Sequence, residues 1–406
     1  MPYLVLRIEI ITTRDWTQWL DTRRAEGLER RLRVGQSPQG VSMRVDGREL
    51  LTFCSNDYLG LANHPDIVAA LQMGAARWGV GSGAAHLVNG HFEPHDALEF
   101  ALAEWLRVDR SLLFSTGYMA NLAVVGGLVG RGDTVVADKL NHASLVDAAQ
   151  LSGATLRRYR HGDMADARRQ LMRATGTRML LTDGVFSMDG DVAPLADLMA
   201  LAEEFDAWLV VDDAHGFGVW GEEGRGSLSE LGLIDAGVPE YLVQVGTLGK
   251  AFGTAGAFVA GASQPVEVLL QRARSYLFTT AQPPALAVAT LASLSIVKSA
   301  TDLRASWRAR VAEFKRGLPP GIELMPSQTP IQPVLVGDST QAVAWSTRLA
   351  DAGLWVPAIR PPTVPQGASR LRVTISAAHT PAHVEHLTNA LTGLGFTQNP
   401  DFPPPP

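Results

Sequence analysis

The sequence predicts an α/β fold, with a large domain on a mostly parallel sheet followed by a smaller α+β unit. From about residue 65, short apolar runs alternate with helical segments, as in parallel sheets covered on both faces. Beyond about residue 318 the pattern changes to three strands separated by two helices. The 406 residues suffice for two domains. We expect an N-terminal helix and hairpin segment over residues 1–60, the large domain over 61–295 and the small domain over 296–406.

The order of apolar and charged residues predicts the individual elements. An amphipathic pattern over residues 17–33 predicts a surface helix, and residues 41–54 predict a hairpin that turns at Asp46-Gly47. The expected helices of the large domain cover residues 66–77, 95–106, 142–150 and 195–205. Its expected strands cover residues 111–114, 134–137, 179–182, 208–211 and 241–245. A helical stretch over residues 283–318 leads to strands at 331–336, 354–359 and 371–375, with helices at 339–352 and 381–394.

Composition and charge exclude several classes of function. A net charge of -6 and a pI of about 5.9 argue against nucleic-acid or anionic-membrane binding, because both need a basic field. The single cysteine, Cys54, excludes an intrachain disulfide and favours a reducing cytoplasm. The apolar run over residues 4–11 is too short and too charged to span a bilayer. We expect it to be a short strand or a disordered extension, and we expect the tail Pro403–Pro406 to be frayed.

The most informative segment is GTLGKAFG, residues 246–253, which directly follows an apolar strand pattern. It places Lys250 among small residues that let a flat ligand approach the backbone. A lysine in such a position can form an imine with an aldehyde, provided that burial or nearby positive charge removes its proton. A solvated lysine in a glycine-rich turn is the ordinary alternative for an isolated Gly-Lys pair.

A second strand pattern, WLVVDDAHG at residues 208–216, favours the imine-forming interpretation of Lys250 over the solvated lysine. Asp212 ends its apolar run, and His215 follows. A pyridine ring that serves as an electron sink needs an acid at its ring nitrogen as well as a lysine at its aldehyde. Lys250 and Asp212 supply both groups at the ends of two neighbouring strand patterns.

Other strand exits carry residues that suit the same ligand. In STGYMAN, residues 115–121, Gly117 opens a helix whose N–H groups can bind a phosphate, and Tyr118 would lie near a ring. Thr247 offers a second hydroxyl for the phosphate. His142, which follows the strand at residues 134–137, could stack on the ring or polarise a carbonyl. An ordinary strand-to-helix turn and a capping histidine are the alternatives.

Competing motifs have weaker support. The glycine-rich segment over residues 79–84 resembles a dinucleotide fingerprint but follows a helix rather than a strand. His86, His91 and His95 match no tight zinc spacing and have no cysteine beside them, so we predict no metal site. There is no G-x-S-x-G elbow for a serine hydrolase.

Together these segments resemble the α-oxoamine synthases, which are pyridoxal 5'-phosphate enzymes with the aspartate-aminotransferase fold, fold type I. Residues 55–61, 79–83, 141–144, 184–190, 212–216 and 247–253 carry the resemblance, which extends over residues 17–395. It implies condensation of an amino acid with an acyl-CoA and loss of carbon dioxide. Residues 359–365 and 369–372 resemble the biotin-pathway member, which joins L-alanine to pimeloyl-CoA or a pimeloyl-carrier protein.

The resemblance also implies roles for individual residues. Lys250 would hold the cofactor covalently, Asp212 would face its ring nitrogen, His142 would stack on the ring and His215 would contact its phenolic oxygen. Further cofactor contacts would come from Gly117, Tyr118, Ser187 and Thr247, and a partner subunit would lend Thr279 and Thr280, which implies a homodimer. The substrates would meet Arg30, Asn56, Thr363 and Arg372.

The sequence departs from the family's residue pattern at two places, and three alternative functions stay open. The family usually has glutamate at the position of Asp183, and residues 84–87 lack the glycine-rich form that is typical of the biotin-pathway member. Another synthase of the family, which uses glycine or serine, would share every cofactor residue. A catalytically silent partner subunit would typically lack Lys250, and a nucleotide-binding module would centre on residues 79–84.

Overall fold

The computed structural model describes residues 16–26 and 28–394, so the expectations for residues 4–11 and for the proline tail lie outside the described residues. The strands, in chain order, are β1 (Ser42–Val45), β2 (Arg48–Thr52), β3 (Arg110–Phe114), β4 (Thr134–Asp138), β5 (Thr155–Tyr159), β6 (Arg178–Asp183), β7 (Ala207–Asp212), β8 (Leu242–Thr247), β9 (Ala257–Gly261), β10 (Ile331–Gly337), β11 (Leu354–Trp355), β12 (Ala358–Ile359) and β13 (Ser369–Thr374).

The helices are α1 (Thr17–Ala25), α2 (Pro65–Trp78), α3 (Glu93–Leu106), α4 (Gly117–Leu128), α5 (Ala143–Ser152), α6 (Met164–Leu171), α7 (Leu195–Glu204), α8 (Ser227–Glu230), α9 (Ser263–Arg272), α10 (Arg274–Leu277), α11 (Pro284–Ser299), α12 (Thr301–Gly317), α13 (Ser339–Asp351) and α14 (Pro381–Thr392). Every helix and strand that the sequence predicts between residues 41 and 250 is present, with ends that shift by one or two residues.

The large sheet has seven strands in the order β3-β9-β8-β7-β6-β4-β5. All neighbours are parallel except β9, which runs antiparallel to both β3 and β8. The predicted mostly parallel sheet is therefore confirmed. The patterns missed β5 and β9, because β5 carries two arginines at the edge of the sheet and β9 is built largely of small residues.

Residues on each strand alternate between two apolar layers. Val135 and Ala137 of β4 pack into one layer, which includes residues of α4, α5 and α9. Val136 packs into the opposite layer, which includes residues of α6 and α7. Because successive side chains on a strand point to opposite faces, this alternation requires that both faces of the sheet be covered.

The N-terminal helix is shorter than predicted. Residues 17–33 were expected to be helical, but α1 ends at Ala25. Beyond the end of the helix, the N–H of Leu28 donates to the carbonyl of Arg23. The hairpin that follows is as predicted, and Asp46 and Gly47 both have positive φ, as a two-residue turn requires.

Two expectations for the C-terminal part need correction. The helical stretch is two helices, α11 and α12, and the chain bends by 67° between their axes. No single helix among the described residues is long and apolar enough to cross a membrane, although these two pass that test as a bent pair, by length and composition.

The expected strand at residues 354–359 is two short strands, because Pro357 interrupts it. Strand β11 pairs with β2, and β12 pairs with β13.

The smaller sheets connect the two ends of the chain. One has the order β1-β2-β11 and the other β10-β13-β12. Strand β13 lies in the middle of the second sheet and carries Arg372, whose side chain reaches residues of the N-terminal segment and of the large domain. The domain boundaries at residues 60 and 295 stay a prediction.

Candidate active site

The polar residues predicted from the strand exits meet at one edge of the large sheet. Asp183, Asp212 and Thr247 are the last residues of β6, β7 and β8, which are parallel neighbours. The carboxyl ends of parallel strands are where α/β proteins bind ligands. Lys250 follows three residues after the last of these ends.

The side chain of Lys250 points into this edge rather than into solvent. Its Nζ lies 2.8 Å from Nε2 of His215. Burial lowers the pKa of Lys250 to about 8, and the charges of Asp212 and Asp183 oppose the shift only partly. An appreciable fraction of this lysine is therefore a neutral amine at physiological pH.

A chain of hydrogen bonds leads from Lys250 to Arg372. Nδ1 of His215 lies 2.6 Å from the hydroxyl of Tyr58, which in turn lies 3.2 Å from Oδ1 of Asn56. Both terminal nitrogens of Arg372 donate to that same oxygen, at 3.3 and 3.2 Å. The chain therefore links a nucleophilic amine to a guanidinium.

Arg372 is held firmly although it is buried. Its Nε donates to the carbonyl of Ser187 at 2.7 Å, and one terminal nitrogen also donates to Thr374. Only 5% of Arg372 is exposed, and no carboxylate among the described residues forms a salt bridge with it. A buried cation with only neutral partners is a ready site for an anionic substrate group.

Asp212 is a buried carboxylate with defined partners. Oδ2 accepts from Nδ2 of Asn121 at 2.6 Å, and Oδ1 accepts from the N–H of Ala214 at 3.1 Å. Asn121 also contacts Ser144, while its own Oδ1 is buried without a partner in the described chain. These contacts fix the orientation of the carboxylate at the end of the strand.

His142 caps the N-terminus of α5. The N–H of Ser144 donates to its Nδ1, which leaves Nε2 for the proton of the neutral ring. Burial lowers the pKa of His142, and Asp212 opposes that shift. The N–H of His142 donates to Oδ2 of Asp183 at 2.7 Å. Burial raises the pKa of Asp183 well above its usual range, and the charge of Asp212 adds to the effect.

The predicted phosphate seat lies at the N-terminus of α4. Thr116 caps the helix by accepting the N–H of Met119, and a Cβ added at Gly117 would meet open space. The hydroxyl of Tyr118 donates to Asp147 at 2.6 Å. Across the sheet edge, Thr247 accepts the N–H of Gly249. The helix N-terminus thus presents backbone N–H groups beside an open space, as an anion site requires.

The loop that carries Lys250 packs tightly on the segment that carries Asn56 and Tyr58. Gly253 has φ of 65°, and a Cβ there would lie 2.4 Å from the backbone of Leu61 and Ala62. Only glycine tolerates both the conformation and the approach. This glycine therefore fixes the distance between the two segments.

Four predicted residues lie apart from this network. Arg30, Thr280 and Thr363 are exposed, and Thr279 is half-buried. None of the four forms a hydrogen bond with Lys250, His215 or Asp212 in the described part of the chain. The segment after Thr279 and Thr280 lies against residues 82–84, because Ala281 donates to the carbonyl of Ala84.

The structure brings together the three histidines that the spacing argued against as metal ligands. His86, His91 and His95 each offer a ligand atom within 4.8 Å of the others. Nδ1 of His86 lies 2.8 Å from Nδ1 of His91. Both ring nitrogens of His95 are already engaged, because Nδ1 accepts from Phe92 and Nε2 donates to Gln282. The group is a hydrogen-bonded cluster, and the absence of a metal stays a prediction.

Sequence reasoning assigned no role to Tyr58, Asn121 or Ser144. Each lies within a motif of the sequence, yet each forms a hydrogen bond with a residue that is distant in sequence. Tyr58 meets His215 across 157 residues, and Asn121 meets Asp212 across 91. A buried tyrosine inside a polar segment was the available signal, since buried hydroxyls need partners.

The chain matches a known family and named relatives. The family model described as aminotransferase class I and II matches residues 48–391. A protein of Stutzerimonas stutzeri named 8-amino-7-oxononanoate synthase is 56% identical over 380 residues, which are 93% of this chain and 96% of that protein. A protein of the same name from Thioalkalivibrio sulfidiphilus is 54% identical over 381 residues, 93% of this chain and 96% of that one.

Solved structures show the same fold. A serine palmitoyltransferase of Sphingomonas wittichii superposes with a TM-score of 0.88 at 31% identity, over 94% of this chain and 97% of that one. A serine palmitoyltransferase from S. paucimobilis with bound PLP and myriocin gives 0.86 at 29% identity, over 93% and 96%. The 8-amino-7-oxononanoate synthase of Francisella tularensis gives 0.73 at 29% identity, over 85% and 97%.

Fold and comparisons together define a pyridoxal-phosphate enzyme of fold type I, and the chain belongs to the aminotransferase class I and II family. Within that family it belongs with the 8-amino-7-oxononanoate synthases, acyl-transferring enzymes of biotin synthesis.

The residues present fit pyridoxal phosphate on structural grounds. Lys250 offers an amine of lowered pKa for the aldehyde, and Asp212 offers an oriented buried carboxylate for the ring nitrogen. The N-terminus of α4 offers N–H groups beside open space for the phosphate. A phosphorylated pyridine aldehyde needs these three kinds of group.

Proposed function

We propose that this enzyme condenses L-alanine with the thioester of pimeloyl-CoA or of a pimeloyl-carrier protein. The products are 8-amino-7-oxononanoate, carbon dioxide and the free thiol of coenzyme A or of the carrier. The observation that carries the proposal is the hydrogen-bonded chain from Lys250 to Arg372, which sets an amine of lowered pKa beside an anion site. Relatives that are 54–56% identical over 92–93% of the chain carry the corresponding name.

Lys250 holds the cofactor and then moves a proton. Bound pyridoxal phosphate supplies an electron-poor ring that accepts the negative charge left when the α-carbon of the amino acid loses its proton. The free amine of Lys250 would receive that proton on Nζ. Its pKa of about 8 suits a base that works near neutral pH.

The other cofactor residues orient and bind. The Asp212 carboxylate would hold a proton at the ring nitrogen, and His215 would form a hydrogen bond with the phenolic oxygen. His142 would stack on the ring. Gly117, Tyr118, Ser187 and Thr247 would contribute further cofactor contacts, and the N-terminus of α4 would bind the phosphate.

Arg372 and Asn56 bind the carboxylate of L-alanine. The two terminal nitrogens of Arg372 now share one neutral oxygen of Asn56, and a carboxylate can replace that contact with a bidentate pair. The guanidinium is already fixed by Ser187 and Thr374, so binding costs little side-chain entropy.

A hydrogen bond to the developing oxygen of the acyl group would come from His142. Its Nδ1 accepts from Ser144, so the Nε2–H is free to donate. Asp183 holds the backbone of His142 and so fixes the position of the ring. Arg30 and Thr363 are exposed and available to the acyl substrate.

A homodimer completes the site in this proposal. Thr279 and Thr280 would reach the phosphate of the partner subunit. They lie beside residues 82–84, in a region where Val80, Val88 and Phe278 expose 84%, 77% and 71% of their surface. Large exposed apolar side chains grouped in this way are typical of a protein interface. We also propose a cytoplasmic location, in keeping with a single, partly buried cysteine.

The test supplies L-alanine, glycine and L-serine separately with pimeloyl-CoA and follows release of the thiol. The proposal expects turnover with L-alanine and little with the other two. Preference for serine would favour the second candidate, an acyltransferase like the serine palmitoyltransferases that share this fold at 29–31% identity. The higher identity to the 8-amino-7-oxononanoate synthases favours L-alanine.

A further inference from the structure

We propose that His95 is a positioning residue for the cofactor site of the partner subunit, because its Nε2–H holds in place the segment that carries Thr279 and Thr280. The inference rests on the proposed function, since it assumes the homodimer in which these two threonines reach the phosphate of the partner's cofactor. It gives a role to a residue of α3 that acts through a single backbone carbonyl.

The segment over residues 278–283 connects α10 to α11 and forms neither helix nor strand. Within it, Thr280 is exposed and Thr279 is half-buried. Because no helix or sheet ladder holds this backbone, its shape depends on hydrogen bonds from other parts of the chain. Hydroxyl groups that are already ordered bind a phosphate more tightly than groups that must be ordered on binding. The residues that anchor this segment therefore contribute to the affinity for the phosphate.

Three hydrogen bonds anchor the two residues that follow the threonines. The N–H of Ala281 donates to the carbonyl of Ala84 at 2.9 Å, and the hydroxyl of Ser82 donates to the carbonyl of Ala281. Nε2 of His95 donates to the carbonyl of Gln282 at 2.9 Å. Both anchored residues are buried. The segment is therefore fixed on its C-terminal side by residues 82–84 and by α3.

The residues before the threonines are anchored in the same region. The ring of Tyr276, in α10, stacks on that of His86, with centroids 4.9 Å apart and planes inclined by 7°. His86 in turn meets the ring of His95 edge-on, with centroids 5.1 Å apart. His95 therefore supports the segment on both sides, directly through Gln282 and indirectly through His86.

The position of His95 in α3 fixes which of its nitrogens carries the hydrogen. It is the third residue of the helix, and its Nδ1 accepts from the N–H of Phe92 at 3.0 Å. The residue is fully buried, and burial lowers the pKa of His95 to about 4, so the ring is neutral at physiological pH. The single hydrogen of the neutral ring must then lie on Nε2, where it meets the carbonyl of Gln282.

Two ligands distinguish an effect on phosphate binding from a general loss of the site. The full-length chain, freed of cofactor, is titrated with pyridoxal 5'-phosphate and with pyridoxal, which lacks the phosphate. Absorbance of the ligand bound to Lys250 gives each Kd. His95→Asn keeps an acceptor near the position of Nδ1 for Phe92 and loses the donor to Gln282.

His95→Asn should raise the Kd for pyridoxal 5'-phosphate about ten-fold, as loss of one positioning hydrogen bond implies, and the Kd for pyridoxal by less than about two-fold. An equal rise for both ligands, or no rise for the phosphorylated one, would overturn the proposal.

His383→Asn is the matched control. His383 is likewise the third residue of a helix, α14, and its Nδ1 accepts from the N–H of Thr380 at 3.3 Å. In the described part of the chain it forms no hydrogen bond with residues 278–283. The same truncation at this position should leave both Kd values unchanged. A rise in the control equal to that in His95→Asn would contradict the assigned role.

Mixed dimers test whether the effect crosses the subunit interface. Chains with His95→Asn and chains with Lys250→Ala are co-expressed with different affinity tags, and the hybrid is purified through both tags. Its one lysine-bearing site belongs to the His95→Asn chain and receives Thr279 and Thr280 from the chain whose His95 is intact. The Kd of this site for pyridoxal 5'-phosphate should equal that of the wild type. A Kd as weak as in the His95→Asn homodimer would show that His95 acts within its own subunit, and the proposal would be wrong.

A second variant keeps the test decisive if His95→Asn does not fold. Ser82→Ala removes the hydroxyl that holds the carbonyl of Ala281, so it should show the same selective loss of the phosphorylated ligand and the same recovery in the hybrid. No recovery would contradict the proposal. Turnover of L-alanine with pimeloyl-CoA is measured separately, and its absence would overturn the proposed function without altering these binding constants.

Discussion

Nζ of Lys250 lies 2.8 Å from Nε2 of His215, close enough for a hydrogen bond in either direction. A neutral imidazole can accept from an ammonium or donate to a neutral amine, so this contact persists in both protonation states of the lysine. Burial and the neighbouring charges then determine which state prevails. That balance leads to the first prediction.

The rate at which the cofactor-free enzyme captures pyridoxal phosphate should rise with pH and level off above about 8. Only the neutral amine attacks an aldehyde, and the pKa of Lys250 is lowered to about 8. Asp212→Asn should move the midpoint to lower pH, because Asp212 favours the ammonium form. Stopped-flow absorbance checks this, and an unchanged midpoint in Asp212→Asn would contradict the electrostatic account.

Asp183→Ala should destabilise the protein by about 1–2 kcal/mol, because the N–H of His142 would lose its partly buried acceptor. Asp183→Asn keeps an acceptor oxygen and carries no charge, so it should be no less stable than the wild type. Urea unfolding of both variants measures the difference. Equal losses in the two variants would show that the hydrogen bond to His142 is not what matters.

His161 should stabilise the loops beside the site in a pH-dependent manner. It bridges Asp138 at 3.0 Å and Asp191 at 2.8 Å. Burial lowers the pKa of His161, but the bonds to these carboxylates outweigh it and raise the pKa to about 10. Because the folded-state pKa is raised, the stabilisation is full below the unfolded-state pKa of about 6.5 and is lost as pH rises toward 10.

His161→Gln should therefore cost about 2 kcal/mol at pH 6, and the cost should shrink steadily up to pH 10. His386→Gln is the control, since His386 is an exposed histidine of α14. Urea unfolding across this pH range gives the comparison. A cost for His161→Gln that does not vary with pH would mean that the charge of the imidazolium contributes nothing.

Gly253→Ala should destabilise the fold by more than 2 kcal/mol and weaken cofactor binding. The added Cβ would press on the backbone of Leu61 and Ala62, and the residue has positive φ. Gly47→Ala is a control with positive φ but open space around the new Cβ, so it reports the conformational cost alone. Similar losses in the two variants would exclude the close approach as the cause.

The sequence predicted the sheet and its exits well because apolar runs mark buried parallel strands directly. Asp183, Asp212 and Thr247 were expected at strand ends and lie there. The error at residues 354–359 arose because an apolar run continues past Pro357, although the ladder cannot. The link between Tyr58 and His215 could not be read from the sequence, since it depends on how two segments 157 residues apart pack together.

The central claim is that Lys250 carries the cofactor, and covalent trapping tests it most directly. The holoenzyme is reduced with borohydride, digested, and analysed by mass spectrometry. The chain has four lysines, at positions 139, 250, 298 and 315, so the assignment is unambiguous. We predict a single pyridoxyl label on the peptide that contains Lys250 and no label in Lys250→Ala. A label on another lysine, or none on a protein that turns over L-alanine, would contradict the account.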